Sequence, residues 1–380
     1  MNKEGLGLYI MKKRIIAVLL ASSILGTTVG LTACGDNAQQ TNACNCNCNS
    51  DGGCGCCCCQ NGQAATTSDS AVVATQTAET QPIAIESEQT QVQTDMTQQT
   101  EAQTIPVSEL SEEEKAARKT AQAQLAAQRE EIYSMPDSLE KTQKINEIDK
   151  QILANNSFDF SDKTIQFMGD SITAGICGDK DENGEAISYT NYVNDYLHFA
   201  NCMNNGMAGR MFAAYGGEEL SFSLNMGNVL NNSANISVVF LGVNDYLSGQ
   251  QNKRYGNIYD TESTAGYIGS LRYTMNQLKA NYPDQEFFFV IMYNIAKTAE
   301  STYTDVATPP TLADYMETQR QIVESNGYHI IELYNTGFMN ANDAATSSTY
   351  LADGLHPNNA GNTILGEHIA AELSLYYSQR

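Results

Sequence analysis

The stretch "QFMGDSITAG", residues 166–175, decides how this chain is read. A run of large apolar side chains passes into a glycine, a carboxylate and a hydroxyl, and a helix is expected to follow. A serine in that place can be a helix cap, satisfying N–H groups that have no partner within the helix. It can also be a nucleophile at the carboxyl end of a parallel strand, where open α/β sheets keep their sites. The tripeptide fits both readings, so the choice rests on the rest of the chain.

Three further runs resemble the one that leads into Ser171: "NISVVFLGVND" (235–245), "QEFFFVIMYN" (285–294) and "HIIELYN" (329–335). Each is continuously apolar and ends in polar residues or glycine, as expected of strands buried on both faces. Helical patterns lie between and after them, one ending at Pro283, one at Gly327, and one over 360–379 that closes the chain. Residues 189–206 read as a helix followed by a short strand near 198–203. Strands and helices therefore alternate, which predicts an α/β fold with a parallel sheet and helices on both faces. In such a sheet the carboxyl ends gather on one edge. Ser171, "NNGMAGR" (204–210), "GVND" (242–245) and "DGLHPN" (353–358) would all lie there.

These residues suit acyl transfer. A serine hydroxyl becomes nucleophilic when a base takes its proton, and that base needs an acceptor on its other nitrogen. His356 is the natural base, and Asp353, three residues earlier in the same loop, can hold its Nδ1–H. His198, His329 and His368 lie in or beside apolar or helical segments and read as structural. The tetrahedral intermediate needs donors aimed at its oxyanion. The backbone N–H groups of Ser171 and Gly209 and the Asn244 amide are available, with Gly206 as a competitor for the Gly209 role. None of this chemistry requires a metal or a cofactor.

"GDS" at 169–171, "NxGxxG" at 204–209, "GxND" at 242–245 and "DGLHPN" at 353–358 resemble, in order, the four blocks of the SGNH (GDSL-like) hydrolases. The resemblance implies a flavodoxin-like three-layer α/β/α sandwich over residues 161–380. It also implies Ser171 as nucleophile, His356 as base, Asp353 as its orienter, and Ser171, Gly209 and Asn244 as the oxyanion hole. Arg210 stands where many relatives carry an acidic residue, which suggests a pocket rim receptive to polar or anionic groups. Asp245 is expected to be a structural acceptor for the Ser171 loop.

The 380-residue chain carries a net charge of −23, which argues against nucleic acid, whose binding relies on Lys and Arg neutralising phosphates. The amino end, "MKKRIIAVLLASSILGTTVGLTAC" (11–34), has the basic start, apolar stretch and small residues of a secretory signal. It resembles a bacterial lipoprotein signal, with Met11 as the start, Leu31, Thr32 and Ala33 as the lipobox and Cys34 as the acylated residue. That resemblance implies a membrane anchor and an extracytoplasmic domain.

Eight of the eleven cysteines fall within 44–59, in a "CNCNC" and "CCCC" pattern that does not reproduce the paired spacing of a zinc site. The Gln- and Thr-rich stretch to residue 105 has too few large apolar residues to offset the entropy of ordering, and reads with the cysteines as a linker over 34–105. Residues 106–160 read as a helical spacer, with capping boxes at Ser111/Glu114 and Asp137/Glu140 and an apolar stripe at Ile145, Ile148 and Ile152. The segments 177–191 and 247–264 are rich in amides, Tyr and charge, with no long apolar lid. The expected activity is hydrolysis of short acyl esters, O-acetyl groups on carbohydrate foremost. The alternatives are a non-catalytic glycan-binding lipoprotein and a lipid esterase or thioesterase.

Overall fold

The computed structural model describes residues 106–380, apart from 215–216, 253, 265 and 298–308. The signal segment, Cys34 and the Cys44–Cys59 cluster lie outside the described residues. Two helices come first, α1 (Glu112–Tyr133) and α2 (Leu139–Ala154), followed by β1 (Thr164–Gly169), α3 (Tyr189–Leu197) and β2 (Asn201–Gly206). Next are α4 (Phe222–Val229), β3 (Ile236–Phe240), α5 (Val243–Asn252), α6 (Gly266–Asn281) and β4 (Glu286–Ile291). The chain ends with α7 (Leu312–Ser325), β5 (His329–Glu332), α8 (Ala344–Tyr350) and α9 (Asn359–Ser378).

The five strands form one parallel sheet in the order β2-β1-β3-β4-β5. This is the doubly wound, flavodoxin-like order, whose switch point lies between β1 and β3. The central strands are apolar without alternation because helices cover both of their faces: β3 is buried at every residue, and β1 and β4 at all but the first. One group of helices packs α9 against α3, α2 and α1, and another packs α6 against α4 and α7. Strand β2 sits at an edge and stays partly exposed, which suits its polar sequence NCMNNG.

Two local expectations are corrected. No α-helix follows Ser171 directly. Residues 171–178 form consecutive turns, because Gly175 and Cys177 take positive φ of 76° and 71° and interrupt any helical run. The second helix is capped by Ser138, whose hydroxyl accepts from the Lys141 N–H, rather than by Asp137. Asp137 instead accepts from the Lys141 ammonium at 2.8 Å and the Asn340 amide at 2.6 Å. The first helix does carry the full Ser111/Glu114 capping box.

The helices of 106–160 do not stand off from the sheet. Ile145 and Ile152 are fully buried within the same core cluster as the strands. Asp149, also fully buried, accepts from His368 Nδ1 of α9 at 2.7 Å and pairs with Arg129 of α1. Gln122 of α1 donates to the Ser374 hydroxyl of α9 at 2.7 Å. A spacer would face solvent all round, whereas these helices pack apolar and ionic groups against α9.

Candidate active site

Strands β1, β2 and β3 end side by side, with Gly169 in register with Gly206 on one side and Phe240 on the other. Small residues are required there because the turn after β1 folds back onto the strand ends. A Cβ on Gly169 would lie 1.8 Å from Thr173 Oγ1, and one on Gly206 would lie 2.2 Å from the Ala174 nitrogen. This tight return leaves Ser171 on the carboxyl edge of the sheet.

The opposite wall comes from the loop before α9. It is pinned by a bridge between Leu351 and Pro357, by the Asn358 cap of α9, and by the buried Tyr293 hydroxyl, which donates to the Leu355 carbonyl at 2.6 Å. Held this way, His356 lies with Nε2 3.0 Å from Ser171 Oγ and Nδ1 3.0 Å from Asp353 Oδ2. Asp353 Oδ1 accepts the N–H groups of His356 at 2.8 Å and Leu355 at 3.1 Å. Burial disfavours the charged carboxylate. The His356 N–H, the Lys297 ammonium and the imidazole outweigh that and hold Asp353 well below the usual carboxylate range.

The candidate donors come from the Ser171 turn and the loops after β2 and β3. Gly209 takes φ +80° in the turn after β2. Its N–H and that of Ser171 have no acceptor among the described residues, whereas the Gly206 N–H donates to Asn204 Oδ1 at 2.9 Å. Gly206 is therefore engaged within its own strand end, and Gly209 offers the open donor. Asn244, in the first turn of α5, points its amide nitrogen at Asp170 Oδ2 (3.3 Å) and the Arg210 carbonyl (3.1 Å). An arriving oxyanion would take over one of those two bonds.

Asp170 is buried beneath this array and also accepts the Ile172 N–H at 2.9 Å. Burial pushes its carboxyl up to about 7 against the pull of the Ile172 N–H, with the charge of Asp245 adding to the rise and that of Arg210 opposing it. Two sequence expectations change here. The Arg210 guanidinium is buried and donates inward to the Asn205 carbonyl, so it offers no cation at the pocket rim. Asp245 clamps the segment that follows the second block instead of the expected Ser171 loop, accepting the N–H groups of Phe212 at 2.8 Å and Ala213 at 3.0 Å.

The sequence reading missed Lys297, whose ammonium lies 2.5 Å from Asp353 Oδ2. No local signal could have revealed it, since the pair is 56 positions apart. Among the described residues, no group of three or more His, Cys, Asp or Glu could hold a metal ion.

The family model for GDSL-like lipases and acylhydrolases matches residues 167–364, just over half of the chain, from within β1 into α9. The chain belongs to the GDSL-like lipase/acylhydrolase family. As a member it is a serine hydrolase acting on ester bonds, and helices α1 and α2 lie before the matched segment. No curated protein matches the chain.

Among solved structures, it is similar to a protein from Lactobacillus plantarum at 24% identity and TM-score 0.47, over 56% of this chain and 97% of that one. A lipase/acylhydrolase from Enterococcus faecalis is similar at 19% identity and TM-score 0.38, over 56% and 95%. An acetylxylan esterase from Geobacillus stearothermophilus is similar at 15% identity and TM-score 0.41, over 57% and 96%.

Proposed function

We propose that this acylhydrolase is an extracytoplasmic esterase that removes short acyl groups, O-acetyl groups on carbohydrate foremost, with Ser171 as its nucleophile. The observation that carries the catalytic reading is the relay Ser171 Oγ, His356 Nε2 and Nδ1, Asp353 Oδ2, with both links at 3.0 Å. Ser171 Oγ attacks the ester carbonyl as its proton passes to His356 Nε2, and Asp353 steadies the imidazolium so formed. The Ser171 and Gly209 N–H groups and the Asn244 amide take the oxyanion. The imidazolium then protonates the departing alcohol. Water, deprotonated by the same nitrogen, releases the acid and restores the serine.

The substrate reading rests on polar surfaces near the nucleophile turn. A cleft of about 410 Å³ opens at Ala174 and Gly206, and its wall includes Glu185, Asn191, Asn194 and Asn204. Amides and carboxylates suit a hydroxyl-rich ligand because they offer paired donors and acceptors. One contrary observation favours a longer acyl chain: Ile176 and Met207, beside the nucleophile turn and the second block, are both exposed. Location rests on the sequence of residues 11–34 alone, through which Cys34 would carry the lipid anchor.

The test is hydrolysis of acetyl, butyryl, octanoyl and decanoyl nitrophenyl esters, with acetate release from acetylated oligosaccharides measured alongside. The two shortest esters should be cleaved fastest, and acetate should appear. Preference for decanoyl esters without acetate release would replace this reading with a lipid esterase. Metabolic labelling with an alkynyl fatty acid checks the anchor, and the label should vanish in Cys34→Ser.

A further inference from the structure

We infer that Lys297 is a positioning residue of the reaction: it holds Asp353 against His356 while offsetting part of the carboxylate's pull on the imidazolium. The inference rests on the serine-esterase reading above. Lys297 follows β4 on a segment stitched to the His356 loop, where the Ala296 N–H donates to the Gly354 carbonyl at 2.9 Å. Gly354 takes φ +76°, and a Cβ there would come within 2.9 Å of the Ala296 Cβ, so the two segments are in close contact. The ammonium then reaches Asp353 Oδ2 at 2.5 Å, the same oxygen that accepts from His356 Nδ1.

Asp353 thus receives four donors, two backbone N–H groups on Oδ1 and the imidazole and ammonium on Oδ2. The side chains of Lys297 and Asp353 are 41% and 33% exposed, so the pair adds little to stability. Its effect falls on the charge balance of the relay. When His356 takes the serine proton, the new imidazolium shares its counter-ion with a permanent cation. The ammonium thereby offsets part of the attraction that Asp353 exerts on the imidazolium.

Other charged or titratable groups around the pair come from separate elements: Asp170 at the end of β1, Arg210 beside it, and Tyr293 after β4, which senses both Asp170 and Asp353. None of them bonds to Asp353 Oδ2.

The experiment compares the whole protein with Lys297→Met and Lys297→Arg. It follows kcat/KM for nitrophenyl acetate against pH and, independently of turnover, the NMR titration of the His356 ring, assigned by its loss in His356→Gln. In Lys297→Met both the acid limb and the ring titration should move upward by about 0.5–1 pH unit, as expected for one charge removed a few ångströms away. Lys297→Arg should retain the wild-type profile.

An unmoved ring titration in Lys297→Met, or an equal shift in Lys297→Arg, overturns the inference. A purely structural Lys297 would lower thermal stability and leave the titration where it was. If the ring titration moves but the wild-type protein neither cleaves esters nor reacts with a fluorophosphonate at Ser171, the coupling stands and the esterase reading falls.

Discussion

Among the described residues are two histidine–aspartate pairs of nearly equal geometry in very different settings. His356 meets Asp353 at 3.0 Å on the carboxyl edge of the sheet, partly open to solvent, with Nε2 on a serine hydroxyl. His368 meets Asp149 at 2.7 Å in the packing between α9 and α2, where both side chains are essentially unexposed. Its Nε2 has no partner among the described residues, and its ring stacks on Phe338 at 4.5 Å. Residue type and pairing are the same, so the difference in role comes from what the second nitrogen faces. A hydroxyl within reach of solvent suits one pair to the proton relay proposed above. Arg129 and a closed interior make the other a bolt between helices.

Substitutions should separate the two pairs cleanly. His356→Ala and Ser171→Ala are expected to cost about four powers of ten in ester hydrolysis, the scale on which such triads fail, with an unchanged melting temperature. A Ser171→Ala protein of nearly wild-type activity would remove the nucleophile assignment. Asp149→Ala should do the opposite. It strips the buried His368 Nδ1 of its partner and leaves Arg129 with Glu372 alone, which costs about 3 kcal/mol of stability, while the folded fraction keeps its turnover. Chemical denaturation with activity measured in parallel distinguishes the two outcomes.

At the catalytic edge alone, Asn244→Ala should lower kcat by about two to three powers of ten, the usual cost of one oxyanion donor. A change confined to KM would make Asn244 a binding residue instead.

The buried carboxylates sharpen the contrast through pH. Burial disfavours a charged Asp149, but His368 and Arg129 overcome that and lower its pKa in the fold. Its stabilisation is therefore present above the unfolded-state value and disappears as pH falls through the folded one. Asp170 has the reverse sign. Raised from 3.8 to about 7 mainly by burial, it contributes stability that is present below 3.8 and is lost as pH rises toward 7. Asp170→Asn should flatten stability over that interval, and thermal melts across it provide the measurement. The smallest expected effect is that of a chelator. Nucleophile, base and donors are all protein groups, so EDTA should leave the rate unchanged, and loss restored by a divalent ion would contradict the mechanism.

Much of the fold was legible because its signals are local. Apolar runs without alternation marked the strands, and glycine or proline stops marked the ends of helices. The Asp353/His356 spacing set an imidazole next to its acceptor before any packing was considered. Helix α3 and strand β2 emerged near their expected places because Tyr189, Val193 and Leu197 repeat at helical spacing on a buried face. The turn after Ser171 was misread as a helix because positive φ at a cysteine leaves no mark in composition.

By itself, the sequence determined the alternation of strands and helices, the order of the four blocks and the residue types able to carry acyl transfer. Each of these depends on neighbours a few positions apart. Only the tertiary structure decided that Arg210 turns inward, that Asp245 holds the segment after the second block, that Lys297 shares the Asp353 oxygen, and that α1 and α2 are bolted to α9 through Asp149 and His368. Those contacts join residues as far as 219 positions apart. They follow from how the buried surfaces pack, and no periodicity or spacing along the chain encodes which distant charges the packing will bring together.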